Sequence, residues 1–241
     1  MSVDRTRVGA VVRKELREYR RNRFIIVTMA VTPLIFLGTS LGTLLGTSSS
    51  VSAGVVRNEV GLAFLWMLIV PAVVPATISA YSIVGERQQA TLEPLLTTPV
   101  RREELILGKA AAAVLPSVAT AYALFAVVVV TVRLAATDKV ADAVWHPHWL
   151  LVELIFAPLL AVWAIWVGIT ASTLSTDVRA AQQLATLGSL PPLALTSLQT
   201  FQILTPTVQL AVVLGVVLAA VDLAAWRVVS ALFDRERLLT A

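Results

Sequence analysis

Long uncharged runs alternate with short charged segments along the chain. Six runs reach the length of roughly 20 residues that crosses a bilayer as helix: Phe24–Gly46, Leu62–Val84, Ala110–Val132, Trp149–Leu174, Leu184–Leu204 and Thr207–Val229. None is short and alternating, as an outer-membrane strand would be. The pattern predicts an all-α integral membrane protein with six transmembrane helices. Only Thr205 and Pro206 part the last two runs, and Pro191-Pro192 offers an alternative in which the fifth is a re-entrant pair.

Two polar stretches carry patterns of their own. Before the first run, Val8, Val12, Leu16 and Tyr19 recur at helical spacing, with Val11 beside them and charged residues on the other faces. That predicts an amphipathic helix in the membrane interface, its apolar side toward acyl chains, turning upward at Arg23-Phe24. The second stretch, Gly85–Lys109, reads GERQQATLEPLLTTPVRREELILGK. It is too polar to cross the bilayer and too long for a simple connector. A short helix from about Glu86 places Leu92, Leu95 and Leu96 on one side, and Thr97-Thr98-Pro99 should end it. A second helix, capped by Thr98 and opening at Pro99, should run straight into the third span. The expected product is a helical elbow with a small leucine knob, flanked by Glu86, Arg87 and Glu93. An apolar face on a polar loop wants a docking surface.

Charge adds an orientation. Of the lysines and arginines, 16 lie before span one, after span two, after span four and at the C-terminal end, and only Arg57, Arg133 and Lys139 lie on the other side. The positive-inside rule reads both termini and the elbow as cytoplasmic, in a cell inner or plasma membrane. The same distribution accounts for a pI near 10.0 and a net charge of +4 without nucleic acid. Basic residues here read as topology signals and contacts to anionic lipids. With 57% hydrophobic and 14% charged residues, the 241-residue chain does not read as a soluble domain.

Candidate chemistry is sparse. The chain has no cysteine, so disulfides and thiol nucleophiles are excluded. No phosphate-binding loop pattern occurs, since Gly108-Lys109 lacks the earlier glycine and the following hydroxyl. His146 and His148 flank Pro147 outside the spans, without a nearby acid, and read as an interfacial cap rather than a metal site. No catalytic, cofactor or metal residue is assigned.

The elbow segment resembles a known family. Glu86-Arg87, then Thr91-Leu92-Glu93-x-Leu95-Leu96-x-Thr98-Pro99-Val100, then Glu104-Leu105-Ile106-Leu107-Gly108-Lys109 is similar to the signature of ABC type-2 exporter permeases, the membrane subunits of drug, polysaccharide and related exporters. Lys14-Glu15-Leu16 followed by Arg21-Asn22-Arg23 resembles the family's approach to span one, and Phe233-x-Arg235-Glu236-Arg237-Leu238-Leu239 its tail. Ala90 departs from the family, which commonly has glycine there. The resemblance implies a single permease domain over 1–241: a connecting helix at 1–23 (Lys14, Glu15, Arg21, Arg23), spans one and two at 24–84, a coupling elbow at 85–109, spans three to six at 110–229 and a cytoplasmic tail at 230–241. It implies a separate ATP-binding subunit that holds ATP and magnesium, a second permease copy or homologous permease, and coupling through Glu86, Arg87, Thr91, Leu92, Glu93, Leu95 and Leu96. An ATPase-independent secondary transporter or a membrane scaffold remains the alternative.

Within the spans, Gly38, Gly42 and Gly46 repeat every four residues, a face suited to close packing between subunits or inside one. Prolines 33, 71, 75, 116, 158, 191 and 192 each remove a helix hydrogen bond. Glu153 is expected at the outer interface. Asp222 lies deeper; the expectation is an ion pair with Arg227 or Arg179, the alternative a role in substrate or proton handling. Spans rich in Ala, Val and Leu suit an amphipathic, lipid-like or drug-like substrate.

Overall fold

The computed structural model describes residues 4–48, 50–90, 101–201, 203 and 207–232. Among them are eight helices and no strand: α1 (Arg5–Tyr19), α2 (Arg23–Gly46), α3 (Ala53–Gln88), α4 (Arg102–Ala135), α5 (Asp138–Val144), α6 (Pro147–Leu174), α7 (Val178–Thr200) and α8 (Val208–Leu232). Five of these (α2, α3, α4, α6 and α8) are long and apolar enough to cross a membrane. The protein is an all-α, multi-pass membrane protein.

The sixth expected span, Leu184–Leu204, is not among these five. The run at Leu184–Leu204 belongs to α7, which starts earlier because the Asp177 carboxylate accepts from the Arg179 and Ala180 amides at 3.1 and 3.3 Å. Arg179, Gln182, Gln183, Thr186, Ser189, Thr196 and Ser197 make α7 less apolar than the other five. It is nonetheless one continuous helix through Pro191-Pro192 rather than a re-entrant pair. Pro192 has no N–H to give the Gly188 carbonyl four residues back, and the Trp163 indole of α6 donates to that oxygen instead, at 2.9 Å. Gly188 permits the approach, because a Cβ there would run into Val167.

The long helix α3 is the axis of the bundle, packed on α2, α4, α6 and α7. Small residues bring α6 against it: Gly168 has no room for a Cβ beside Ser79 and the Ala76 carbonyl. One turn on, the Ser172 hydroxyl accepts from the Ile83 and Val84 amides, both at 3.0 Å, and donates to the Ala80 carbonyl at 2.8 Å. A side chain thus enters the backbone ladder of α3, a recognised cause of local bending.

Other boundaries also differ from the sequence reading. Span two does not stop at Val84: α3 runs on to Gln88, so Glu86 and Arg87 continue span two rather than open a separate elbow helix. The helix into span three opens at Arg102, after Arg101 in extended conformation, and the expected start at Thr98 and Pro99 lies outside the described residues. The short helix α5 was not foreseen; it buries Val140, Ala141 and Val144 against Val60, Phe64 and Trp149. Finally, α1 does not offer its apolar side to acyl chains. Val11 and Tyr19 are buried with Leu105 and Ile106 of α4, and Val12 and Leu16 pack beside them.

Candidate functional site: a buried ion cluster joining three helix ends

The buried stripe of α1 is Val11, Glu15 and Tyr19, one residue every four, so a carboxylate sits at the centre of an apolar seam. The seam closes on the first turns of α4. A Cβ on Gly108 would lie 2.5 Å from the Val11 Cβ, so only glycine allows this contact. One turn earlier, Glu104 fastens both helix starts. One of its oxygens accepts from the Asp4 amide at 3.0 Å and the other from the Arg101 amide at 2.9 Å, with Arg7 at 3.7 Å.

Beside Gly108, Lys109 points inward with 2% of its side chain exposed. Its ammonium donates to Glu15 Oε1 and Glu86 Oε1, both at 2.9 Å, and to the Ser82 carbonyl at 3.0 Å. Three protons meet three acceptors on α1 and α3. Lys14 completes the cluster at its rim, 2.7 Å from Glu86, 3.3 Å from Glu15 and 3.2 Å from Glu18. The carboxylates of Glu15, Glu18 and Glu86 lie within 4.8 Å of one another, spacing that suits a cation, and the two ammonium groups serve as one.

Electrostatics follow from this geometry. Burial works against the Glu15 carboxylate, but Lys109 and Lys14 outweigh it and hold its pKa below the ordinary value of 4.5. Burial likewise works against the Lys14 ammonium, and Glu15 and Glu86 overcome it, holding its pKa above the ordinary 10.5. The Tyr19 hydroxyl is pushed well above its ordinary range by burial and then by Glu15, Glu18 and Glu86. A lysine with every proton engaged is not a free nucleophile. The arrangement is a mechanical joint, fixing α1 to the end of α3 and the start of α4.

The expected site residues fall in several places. Lys14, Glu15 and Glu86 meet in the cluster; Arg87 is half-buried in the last turn of α3; Arg21 and Arg23 are exposed at the α1–α2 turn. Thr91, Leu92, Glu93, Leu95 and Leu96, with Thr98, Pro99 and the tail motif at 233–239, lie outside the described residues. Gly38, Gly42 and Gly46 have nothing within 4 Å of an added Cβ, so none packs against another helix among the described residues. Glu153 is 0% exposed. Asp222 is 5% exposed and makes no ion pair with Arg227 or Arg179 among the described residues. All four oxygens of these two carboxylates lack a hydrogen-bond partner there.

Glu104, Gly108 and Lys109 were quoted in a motif but given no role by sequence reasoning. The available signal was a lone lysine opening an apolar run, directly after a glycine.

A family model described as ABC-2 family transporter protein matches residues 9–214, from the middle of α1 into α8. No curated protein sequence matches the chain.

Proposed function

The chain belongs to the ABC-2 transporter family, and from that premise we propose that it is the permease half of an ATP-driven exporter, powered through its elbow by a separate ATP-binding subunit. Membership makes it a membrane transport component; the partner, the coupling route, the direction and the substrate are our reading. The observation that carries it is the buried cluster. Residues 89–101 connect α3 to α4, and the cluster ties those two helix ends to α1. A push on the elbow therefore reaches two membrane helices and the connecting helix together. Removing one partner from a buried ion pair costs about 3–5 kcal/mol, enough to keep the joint closed while load passes through it.

In this reading ATP and magnesium are bound by the partner, and the Leu92, Leu95 and Leu96 knob seats in a groove on it. Two permease copies, or a copy and a homologue, enclose the path for an amphipathic, lipid-like or drug-like substrate. The open Gly38, Gly42 and Gly46 face supports close approach of a second copy. A sixth span is supported by the arrangement of α7: Leu184, Leu187, Leu190 and Leu195 face outward, while Ser189 and Thr196 are buried. That is an inside-out helix suited to lipid. Both termini and the elbow are assigned to the cytoplasm from the arginine and lysine distribution. The ATPase-independent reading draws on a different observation, the partnerless Glu153 and Asp222.

The test is the double variant Leu92→Asp/Leu96→Asp. Fully burying one leucine is worth roughly 1.5–3 kcal/mol, so two aspartates should abolish copurification of an ATP-binding subunit or substrate-stimulated ATP hydrolysis. The chain should still insert in the membrane. A double variant that keeps its partner, stimulation and transport would overturn the coupling assignment.

A further inference from the structure

We propose that α8 is a lateral gate: it parts from α6 and admits water to Asp222, while α3, α4, α6 and α7 move as one frame. This inference goes beyond the transport reading and does not rest on pairing with an ATPase.

The frame is held by side chains bonded to the backbone of a neighbouring helix. Toward the outer end, the Tyr122 hydroxyl of α4 donates to the Leu154 carbonyl of α6 at 2.8 Å. That carbonyl lacks its helical donor because residue 158, four positions on, is proline. The Trp163 indole plays the same part between α6 and α7, at the Gly188 carbonyl freed by Pro192. Ser172 ties α6 to α3, and Lys109 ties α4 to α3. Even α2 is fastened to α3, by the buried Ser40 hydroxyl donating to the Ala63 carbonyl at 3.0 Å.

The last helix is held differently. Among the described residues no hydrogen bond joins α8 to another helix, and the buried oxygens of Asp222 and Ser230 have no partner. Packing holds it to α6 at two places. A Cβ on Gly215 would lie 2.7 Å from the Ile155 Cγ2, and the Trp226 ring stands 5.3 Å from that of Trp166. Elsewhere two apolar hollows lie where α8 faces α6 and α7. One of about 160 Å³ is lined by Phe156, Pro192 and Leu218, and one of about 520 Å³ by Trp166, Leu184 and Val228. Side chains that face a void lose the dispersion contacts of close packing. The α6–α8 seam is therefore the weak one.

Asp222 belongs to that seam. It lies one helical turn from Leu218, which packs with Phe156 and Leu160 of α6, and one turn from Trp226. A buried acid without a partner is costly whether or not it carries its proton. Parting the seam supplies water as that partner. The closed seam is thus favoured by packing and opposed by one side chain, the balance that makes a two-state element.

The wild-type chain has no cysteine, so an introduced thiol reports a single position. The experiment compares Leu218→Cys, on α8, with Ala164→Cys, which is 0% exposed and packs with Ala76 and Ala80 of α3. The full chain is held in lipid nanodiscs, and the rate of reaction with a charged methanethiosulfonate is followed at each position. Leu218→Cys should react at least about tenfold faster, because a weak seam opens more often than a hydrogen-bonded one. Asp222→Leu keeps the branched shape and removes the acid, and should slow the Leu218→Cys reaction by about tenfold. Ala211→Cys, fully buried in the same cluster as Leu218, takes its place if Leu218→Cys fails to fold. Equal rates on the two seams overturn the gate. So does a rate at α8 that Asp222→Leu leaves unchanged, since the reagent would then be entering a standing cavity.

Discussion

Glu15 and Glu86, at the α1 end, are buried as deeply as Glu153 and Asp222 within α6 and α8, yet the two pairs live under opposite conditions. The first pair faces two ammonium groups at 2.7–3.3 Å. The second pair has no hydrogen-bond partner on any oxygen among the described residues. Burial alone therefore says little about what a carboxylate does. A compensated pair is a fastening, whose value appears only when one member is taken away. An uncompensated carboxylate is a standing cost, retained only where something outside the described contacts makes use of it.

The largest effect expected from this contrast is at Lys109. Lys109→Met leaves Glu15 and Glu86 facing each other in a buried seam and should destabilise the protein by about 3–5 kcal/mol, read as a lowered unfolding midpoint in detergent. Adding Glu15→Gln and Glu86→Gln to that variant should recover part of the loss. A loss below about 1 kcal/mol is what an exposed pair gives, and it would place the cluster with the surface. The pH response carries the same information. Folding lowers the Glu15 pKa, so its contribution is present above the unfolded value of about 4.5 and disappears as pH falls through the lower folded value. Lys109→Met should flatten that acid limb.

Asp222 should behave in the reverse sense. Asp222→Asn removes a charge with no partner, so stability should hold or rise by about 1–2 kcal/mol. Transport per folded molecule should stay near wild type if ATP supplies the energy. Destabilisation would reveal a partner. Intact folding with transport lost would put Asp222 in the pathway and favour the ATPase-independent reading.

The smallest effect sharpens the end of α3, four residues past Glu86. Ala90 has φ 55°, the left-handed region, the one non-glycine residue found there among those described. Its amide closes on the Arg87 carbonyl at 3.1 Å, the position where a helix most often ends in glycine. Ala90→Gly relieves about 1–2 kcal/mol of strain and returns about 0.4–1 kcal/mol through a more flexible unfolded chain. A net gain of about 0.5–1 kcal/mol should appear as a small rise in the unfolding midpoint. Any decrease would mean that the left-handed turn depends on the alanine methyl.

The apolar runs were legible because hydropathy reports one helix at a time. Residues 24–46 and 207–229 map almost unchanged onto α2 and α8. The run at 184–204 was less clear, because α7 turns its leucines out and its hydroxyls in, and an average over the run mixes the two faces. Lys14, Glu15, Glu86 and Lys109 were each visible within a local motif. Their meeting was not, since Lys109 and Glu15 are 94 positions apart and Lys14 and Glu86 are 72. No periodicity encodes a contact at that separation. The burial of Glu153 was not legible for a related reason. Distance from the end of a run measures depth along one helix, whereas burial depends on which neighbours surround it.

The 36-residue length of α3 has a consequence in leverage. At 1.5 Å per residue the helix is about 54 Å long, well beyond a hydrocarbon core of about 30 Å. Pro71 and Pro75 lie near its middle. From Pro75 to Gln88 the arm is about 20 Å, so a bend of about 10° at the prolines swings its tip by roughly 3.5 Å. The Ser172 hydroxyl grips that arm at Ala80, Ile83 and Val84. The swing therefore draws α6 with it, and a small angle at two prolines becomes a displacement shared by two helices.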